Sequence, residues 1–288
     1  MYHAHIIGVA KCGTTTLAEA LSKHTDITLA AGKEAHFFDV DEIFAKGYKY
    51  YHSAFLTADL FNIDATPAYI CQANYLRRLA DYYRVHGLRP RIIVLIRNPT
   101  ERAISHYLDR YRVGQVTEDF FEIAERQIVE GHRDSGAWDQ YIGDGEYKRI
   151  FEILFSIFEE DDVLVLSNVE LRTSMNYCLR AILAFLELPD QSDAMVSMAS
   201  GNLNISGSPK SLWLARQIAK DSVPKRLLKR TINRHALRKM GTAVNSWNRR
   251  PEKAAIAEQI SSDPRRTRLD EHYATDVDFV LHKFGKQL

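Results

Sequence analysis

Cysteine is scarce in this 288-residue chain: Cys12, Cys71 and Cys178 are the whole complement. Three scattered cysteines cannot build a disulfide framework or a zinc cluster, and they point to a reducing, cytoplasmic setting. Long hydrophobic runs are also missing. No stretch approaches the roughly 20 apolar residues of a membrane-spanning helix. The first residues, His3 to Ile7, read as a strand rather than a signal peptide. Net charge is close to absent, +1 overall, so global charge gives no reason to expect nucleic acid as a partner. Neither HExxH nor a similar ligand cluster occurs, so no metal is expected. Internal repeats and low-complexity segments are lacking too.

What the chain does have is alternation. The runs at 3–9, 26–30, 60–64, 91–97 and 162–167 read as strands, the last two rich in Val, Ile and Leu, as strands buried on both faces are. Segments with 3.6-residue periodicity lie between and after them, at 14–24, 73–87, 99–114, 145–158 and 176–188. This pattern predicts an α/β fold, P-loop-like and three-layered, with a central parallel sheet flanked by helices. After Pro189 the composition changes. Residues 190–210 read as loops, 211–250 as basic and helical, and the last forty as one or two helices ending at Gly285. The expected organisation is one domain over 1–288, an α/β core of about 1–189 with a helical basic cap of about 190–288.

The first strand stops at a glycine and feeds a helix, in the stretch Ile6-Ile7-Gly8-Val9-Ala10-Lys11-Cys12-Gly13-Thr14-Thr15-Thr16. Backbone N–H groups and a helix N-terminus there favour an anion. Gly8 and Gly13 have the spacing of a nucleotide phosphate loop, yet Thr14 stands where its lysine should be, and Lys11 comes early. That placement suits one short anionic chain with a leaving group better than a metal-bound triphosphate. A plain strand-to-helix turn with a surface lysine is the bland alternative. Cys12, near positive charge, is a candidate for a reactive thiol without a catalytic role.

A second constellation follows the strand at 91–97. Asn98 can cap a helix that opens with Pro99, and Ile104, Tyr107, Leu108 and Tyr111 form its apolar stripe. Arg97 stands at the carboxyl end of a buried strand, where open α/β sheets bind ligands. With Ser105 two turns along, it can cradle a second phosphate. An ordinary pairing of Arg97 with Glu101 fits the spacing equally well.

The two motifs together resemble the sulfotransferases that use 3′-phosphoadenosine 5′-phosphosulfate, PAPS. That family binds the 5′-phosphosulfate with a loop of the form GxxKxGT[TS], here GVAKCGTT, and the 3′-phosphate with Arg followed by xPxxRxxSxY, here RNPTERAISHY. Between them, LAAGKEAHFFD and ATPAY are similar to the heparan sulfate 3-O- and N-sulfotransferase branch and its bacterial relatives. The resemblance spans about residues 3–187. It implies donor contacts from Lys11, Cys12, Gly13, Thr14, Thr15, Thr16, Arg97 and Ser105, with Lys210 as a later basic candidate. It implies Glu34 as general base, with His36 and Asp39 supporting substrate and base, and acceptor contacts from Lys33, Phe38, Thr66 and Pro67. Were residues 33–39 extended, Glu34 and His36 would share a face, whereas Phe37 and Phe38 also suit a core. One departure stands out: the branch carries a lysine before TPAY, and this chain has Ala65.

The resulting expectation is an enzyme that moves a sulfuryl group from PAPS to a hydroxyl of a glycan or small molecule, Glu34 taking the proton and Lys11 stabilising the leaving phosphate. Its rivals are a metal-dependent nucleotide kinase and a non-enzymatic anion- or membrane-binding protein. From Ser222 to Pro251 no acidic residue occurs. That basic segment reads either as a solvated amphipathic helix or as a docking surface for an anionic acceptor or membrane. No base-reading module accompanies it, which sets nucleic acid aside. His3 and His5 are expected to line the first strand, and Trp213 and Trp247 to serve packing.

Overall fold

The computed structural model describes residues 2–55, 60–131, 140–199, 208–209, 249–250 and 253–288. All five expected strands form: β1 (Tyr2–Gly8), β2 (Ile27–Leu29), β3 (Phe61–Asp64), β4 (Ile92–Ile96) and β5 (Val163–Ser167). They make one parallel sheet in the order β2-β3-β1-β4-β5. Ile6 lies opposite Ile93, and Ala4 opposite Ile63. β4 is buried along its whole length, so its sequence is an unbroken run of Ile, Val and Leu. The chain adds strands on one side of β1 and then crosses to the other with β4. Ligands of open α/β sheets bind at such a reversal, beyond the carboxyl ends of the strands. Gly8 and Arg97 are the residues at that edge.

The expected helices form as α1 (Thr14–Leu21), α4 (Ala73–His86), α5 (Pro99–Arg112), α7 (Tyr147–Phe155) and α9 (Met175–Phe185). Shorter ones join them: α2 (Asp41–Phe44), α3 (Gly47–His52) and α8 (Asn168–Thr173). α6 (Phe120–Glu130) had no counterpart in the sequence reading, although Asp119 caps it by accepting from the amides of Phe121 and Glu122 at 2.9 and 3.2 Å.

Two expectations about the C-terminal third are corrected. Residues 192–199 are not loop but helix α10 (Ser192–Ala199). Asp190 accepts the Ser192 amide at 2.9 Å and Met195 is fully buried, so the Ser/Asp-rich composition marks a helix start. The final segment forms three helices instead of one or two: α11 (Lys253–Ser262), α12 (Arg266–His272) and α13 (Ala274–Phe284). Tyr273 separates the last two, and Gly285, at φ +65°, closes α13 by donating to the Leu281 carbonyl at 2.9 Å. Lys210, Trp213 and Trp247 lie outside the described residues. So does the basic segment 222–251, except for β7 (Arg249–Arg250), which pairs antiparallel with β6 (Ser208–Pro209).

The main core surrounds the sheet and takes in Val280 of α13. A second cluster lies between α5, α6 and the C-terminal helices, built on Ala103, Ile104, Tyr107, Phe120, Leu269 and Tyr273. Burying a large apolar side chain such as Leu269 or Val280 contributes about 1.5–3 kcal/mol, so the last helices are fastened to the α/β core at both clusters.

Candidate active site

The phosphate loop is shaped by close contacts. A Cβ on Gly8 would lie 2.5 Å from Cγ2 of Ile70, so the strand can pass there only as glycine. Gly13 has φ +105°, and a Cβ on it would stand 2.9 Å from Leu171 Cδ2 and 3.1 Å from Asn168 Nδ2. Those two residues belong to α8, which a capping box anchors: Ser167 Oγ accepts the Glu170 amide at 3.1 Å, and Glu170 accepts the Ser167 amide at 2.8 Å. From this base Asn168 Nδ2 donates to the Cys12 carbonyl at 2.8 Å. The first turn of α1 receives no side-chain cap, which suits an anion at its end. Thr14 is buried, Thr16 half-buried and Thr15 exposed.

Lys11, at φ +73°, places its ammonium 3.5 Å from Asp109 of α5. Burial lowers its pKa from the ordinary lysine value, and Asp109 offsets part of that. Cys12 is fully buried, its sulfur 3.9 Å from the Tyr147 hydroxyl. Burial pushes the thiol up to about 11, which overturns the idea of a reactive cysteine. Cys12 packs beneath the loop.

Arg97 follows β4 directly. The Tyr147 hydroxyl donates to its carbonyl at 2.6 Å and accepts its amide at 3.2 Å. One guanidinium nitrogen lies 3.5 Å from the Lys11 carbonyl, another 3.5 Å from Glu101. The ordinary pairing with Glu101 is therefore formed, and Arg97 also stands beside the phosphate loop. Asn98 caps α5 as expected, accepting the Glu101 amide at 3.0 Å, and Ser105 is half-buried two turns along from it. The apolar stripe on α5 hid a surprise: Arg102 is fully buried, donating to the Tyr141 carbonyl and 3.7 Å from Asp144.

The stretch 33–39 is not extended. Lys33 and His36 have φ of +79° and +49°, so the chain folds back twice. Glu34 and His36 still meet: His36 Nε2 lies 3.1 Å from Glu34, and Nδ1 lies 2.8 Å from Asp39. Lys33 pairs with the other Glu34 oxygen and reaches Thr15 Oγ1 at 3.4 Å. Burial raises the Glu34 pKa, but hydrogen bonds from His36 and Lys33 outweigh it, and the carboxyl ends below its ordinary value. Asp39 and then Glu34 push His36 up to about 10. At neutral pH Glu34 is thus ionised and able to take a proton. His36, a cation donating from both ring nitrogens, is not. Its ring stands between Glu34 and Asp39.

The loop is suspended from a residue the sequence reading passed over. Asp64, fully buried at the end of β3, accepts from the Ala35 amide at 3.2 Å and the hydroxyls of Thr66, Tyr69 and Tyr51 at 2.6, 2.7 and 3.2 Å. Thr66 accepts the His36 amide at 3.4 Å, Tyr69 accepts the Phe37 amide at 2.9 Å, and the Ala65 amide donates to the Lys33 carbonyl at 3.1 Å. Thr66, Pro67 and Phe38 are buried, Phe38 against Tyr51, Tyr69 and Phe37. They back the loop, with Thr66 and Phe38 fully buried. Ala65 is fully buried as well. Asp64 is the acid of D-A-T-P-A-Y, and Thr66 and Tyr69, two and five residues further on, supply two of its donors.

Among the described residues, no group of three or more His, Cys, Asp or Glu is placed to hold a metal, and no helix is long and apolar enough to cross a membrane.

The parallel sheet thus carries a glycine loop with Lys11 after β1, Arg97 after β4, and the Glu34 carboxylate linked to the loop through Lys33 and Thr15. The chain belongs to the sulfotransferase domain family, whose model matches residues 2–204. It is similar to heparan sulfate glucosamine 3-O-sulfotransferase 5 of Mus musculus, 37% identical over 106 residues, covering 36% of this chain and 29% of that protein. Heparan sulfate glucosamine 3-O-sulfotransferase 6 of Homo sapiens is 38% identical over 108 residues, with the same two shares. The match thus spans less than a third of these relatives' length. Among solved structures, a sulfotransferase from Alicyclobacillus acidocaldarius superposes with a TM-score of 0.55 and 25% identity, covering 66% of this chain and 83% of that one. Mouse sulfotransferase SULT7A1, complexed with PAP, shares the fold at a TM-score of 0.52 and 18% identity, covering 98% of this chain and 89% of that one.

Proposed function

We propose that this protein transfers a sulfuryl group from PAPS to an acceptor hydroxyl, and that the acceptor is a carbohydrate. The observation that carries the reading is the continuous chain Thr15–Lys33–Glu34–His36–Asp39, which joins the phosphate loop to an ionised, oriented carboxylate. The donor set fits PAPS: an uncapped helix N-terminus with Lys11 for the 5′ end, Arg97 with Ser105 for the 3′-phosphate. PAPS supplies the sulfuryl group and a phosphate leaving group. Glu34 takes the proton of the attacking hydroxyl, worth roughly 10²–10⁴ in rate. Lys11 and the loop amides stabilise the charge that grows on the leaving phosphate oxygen.

With alanine at position 65, Lys33 is the cation beside both Thr15 and Glu34, and we assign it the stabilisation of the group in transit. The carbohydrate acceptor follows the names of the heparan sulfate relatives. A single-domain organisation is supported by the C-terminal helices sharing both apolar clusters, and a cytoplasmic setting by three free thiols.

The test is thermal stability with PAP, AMP and Mg-ATP side by side, followed by turnover with PAPS. A ligand that binds only the folded state raises Tm by mass action. The reading expects the largest shift with PAP. A shift with Mg-ATP and none with PAP would replace it with a kinase.

A further inference from the structure

Glu101 lies between two guanidinium groups. One carboxylate oxygen is 3.5 Å from Arg97, the other 2.8 Å from Arg266 of α12. Arg97 and Arg266 are each about a quarter exposed, and Glu101 about a third. Arg266 has two near neighbours in sequence that turn elsewhere: Arg265 pairs with Asp119 and Asp263, and Arg268 with Glu125. Of the three, Arg266 is the one aimed at the start of α5.

Its backbone is firmly seated, since Leu269 is buried and the Tyr273 hydroxyl donates to the Ile142 carbonyl at 2.7 Å. A second tie holds the two helices together: Thr100 donates to Asp270 at 2.6 Å, and Asp270 stands 3.3 Å from Arg266. Two planar guanidinium groups sharing one carboxylate present the geometry that a phosphate monoester fills, with more oxygens and nearly twice the charge.

We propose that Arg266 is a second arginine for the donor's 3′-phosphate, opposed to Arg97, and that Glu101 is the group the phosphate displaces. This rests on the PAPS reading and extends it by a residue 169 positions from Arg97, on a helix that otherwise reads as a cap. It gives the two neighbours opposite effects. Removing Arg266 takes a charge-assisted contact from the phosphate. Neutralising Glu101 removes its competitor.

The experiment is calorimetric titration of PAP and of AMP, which differ by the 3′-phosphate, into the full chain and its variants. Arg266→Ala is expected to weaken PAP roughly tenfold or more and to leave AMP nearly unchanged. Glu101→Gln is expected to tighten PAP severalfold without changing AMP. Thr100→Val, which loosens the same helix pair without touching Arg266, should leave the PAP-to-AMP ratio where it was. Equal losses for PAP and AMP in Arg266→Ala, or no loss, would overturn the assignment while a discriminating wild type left the donor reading standing. A wild-type protein that binds both ligands equally would overturn the donor reading and the assignment with it. Should Arg266→Ala fail to fold, Glu101→Gln decides alone: unchanged or weaker PAP binding counts against the proposal.

Discussion

The two halves of the proposed site, donor and base, are held in different ways. On the donor side, cations lean on carboxylates that are partly exposed, Lys11 on Asp109, and Arg97 and Arg266 on Glu101. On the base side, the loop carrying Glu34 hangs from a carboxylate no solvent reaches, Asp64, through one amide and three hydroxyls. Exposed ion pairs contribute about 0–1 kcal/mol, so the donor cations can change partner at little cost. A buried donor left without its acceptor costs roughly 1–3 kcal/mol, so the base loop holds its shape before any ligand arrives. The donor side is built to exchange, the base side to stay.

The strongest way to break that contrast is kinetic. Glu34→Gln is expected to lower kcat by roughly 10²–10⁴ while leaving PAP affinity within about twofold. Lys11→Ala should lower both kcat and PAP affinity. Matching losses of affinity in the two variants would mean the halves are not separable. The next test is stability. Asp64→Ala strands four donors and should cost roughly 3 kcal/mol or more. Asp109→Asn, on the donor side, should cost under about 1 kcal/mol. Chemical denaturation of both variants measures the difference, and similar values would erase it.

The smallest effect concerns pH. His36 carries a raised pKa, so the stabilisation it supplies is complete below the ordinary histidine value and is lost as pH climbs toward about 10. Glu34 carries a lowered one, and its contribution is lost instead as pH falls below the ordinary carboxylate range. Melting curves between pH 6 and 10 should therefore show a downward slope that His36→Gln flattens. A slope that persists in the variant would assign it to another group.

Much of the fold could be read ahead of the structure, because doubly buried strands leave unbroken apolar runs and β4 leaves the clearest of them. Helix α10 could not, because Ser and Asp serve loops and helix starts alike, and the burial of Met195 decides between them. In the site, Lys11, Arg97 and Glu34 stood out by motif, whereas their surroundings did not. Positive φ at Lys33 and His36 has no mark in residue type, so nothing in the sequence told against an extended stretch. Asp64 was silent for a related reason: a single acid in a strand says nothing about four donors that converge from Ala35, Tyr51, Thr66 and Tyr69. Arg266 lay in a helix whose pattern spoke only of packing.

Tyr147 bears on whether such a site is portable. Its hydroxyl meets both the carbonyl and the amide of Arg97, and it stands over Cys12 in the phosphate loop. One phenol fifty residues downstream thus sets the direction in which the motif arginine leaves its strand. Grafting GxxKxGT and RxPxxRxxS onto another parallel sheet would transfer the letters and leave behind the hinge pin. A graft that carries an equivalent of Tyr147 would bring the aim along with the charge.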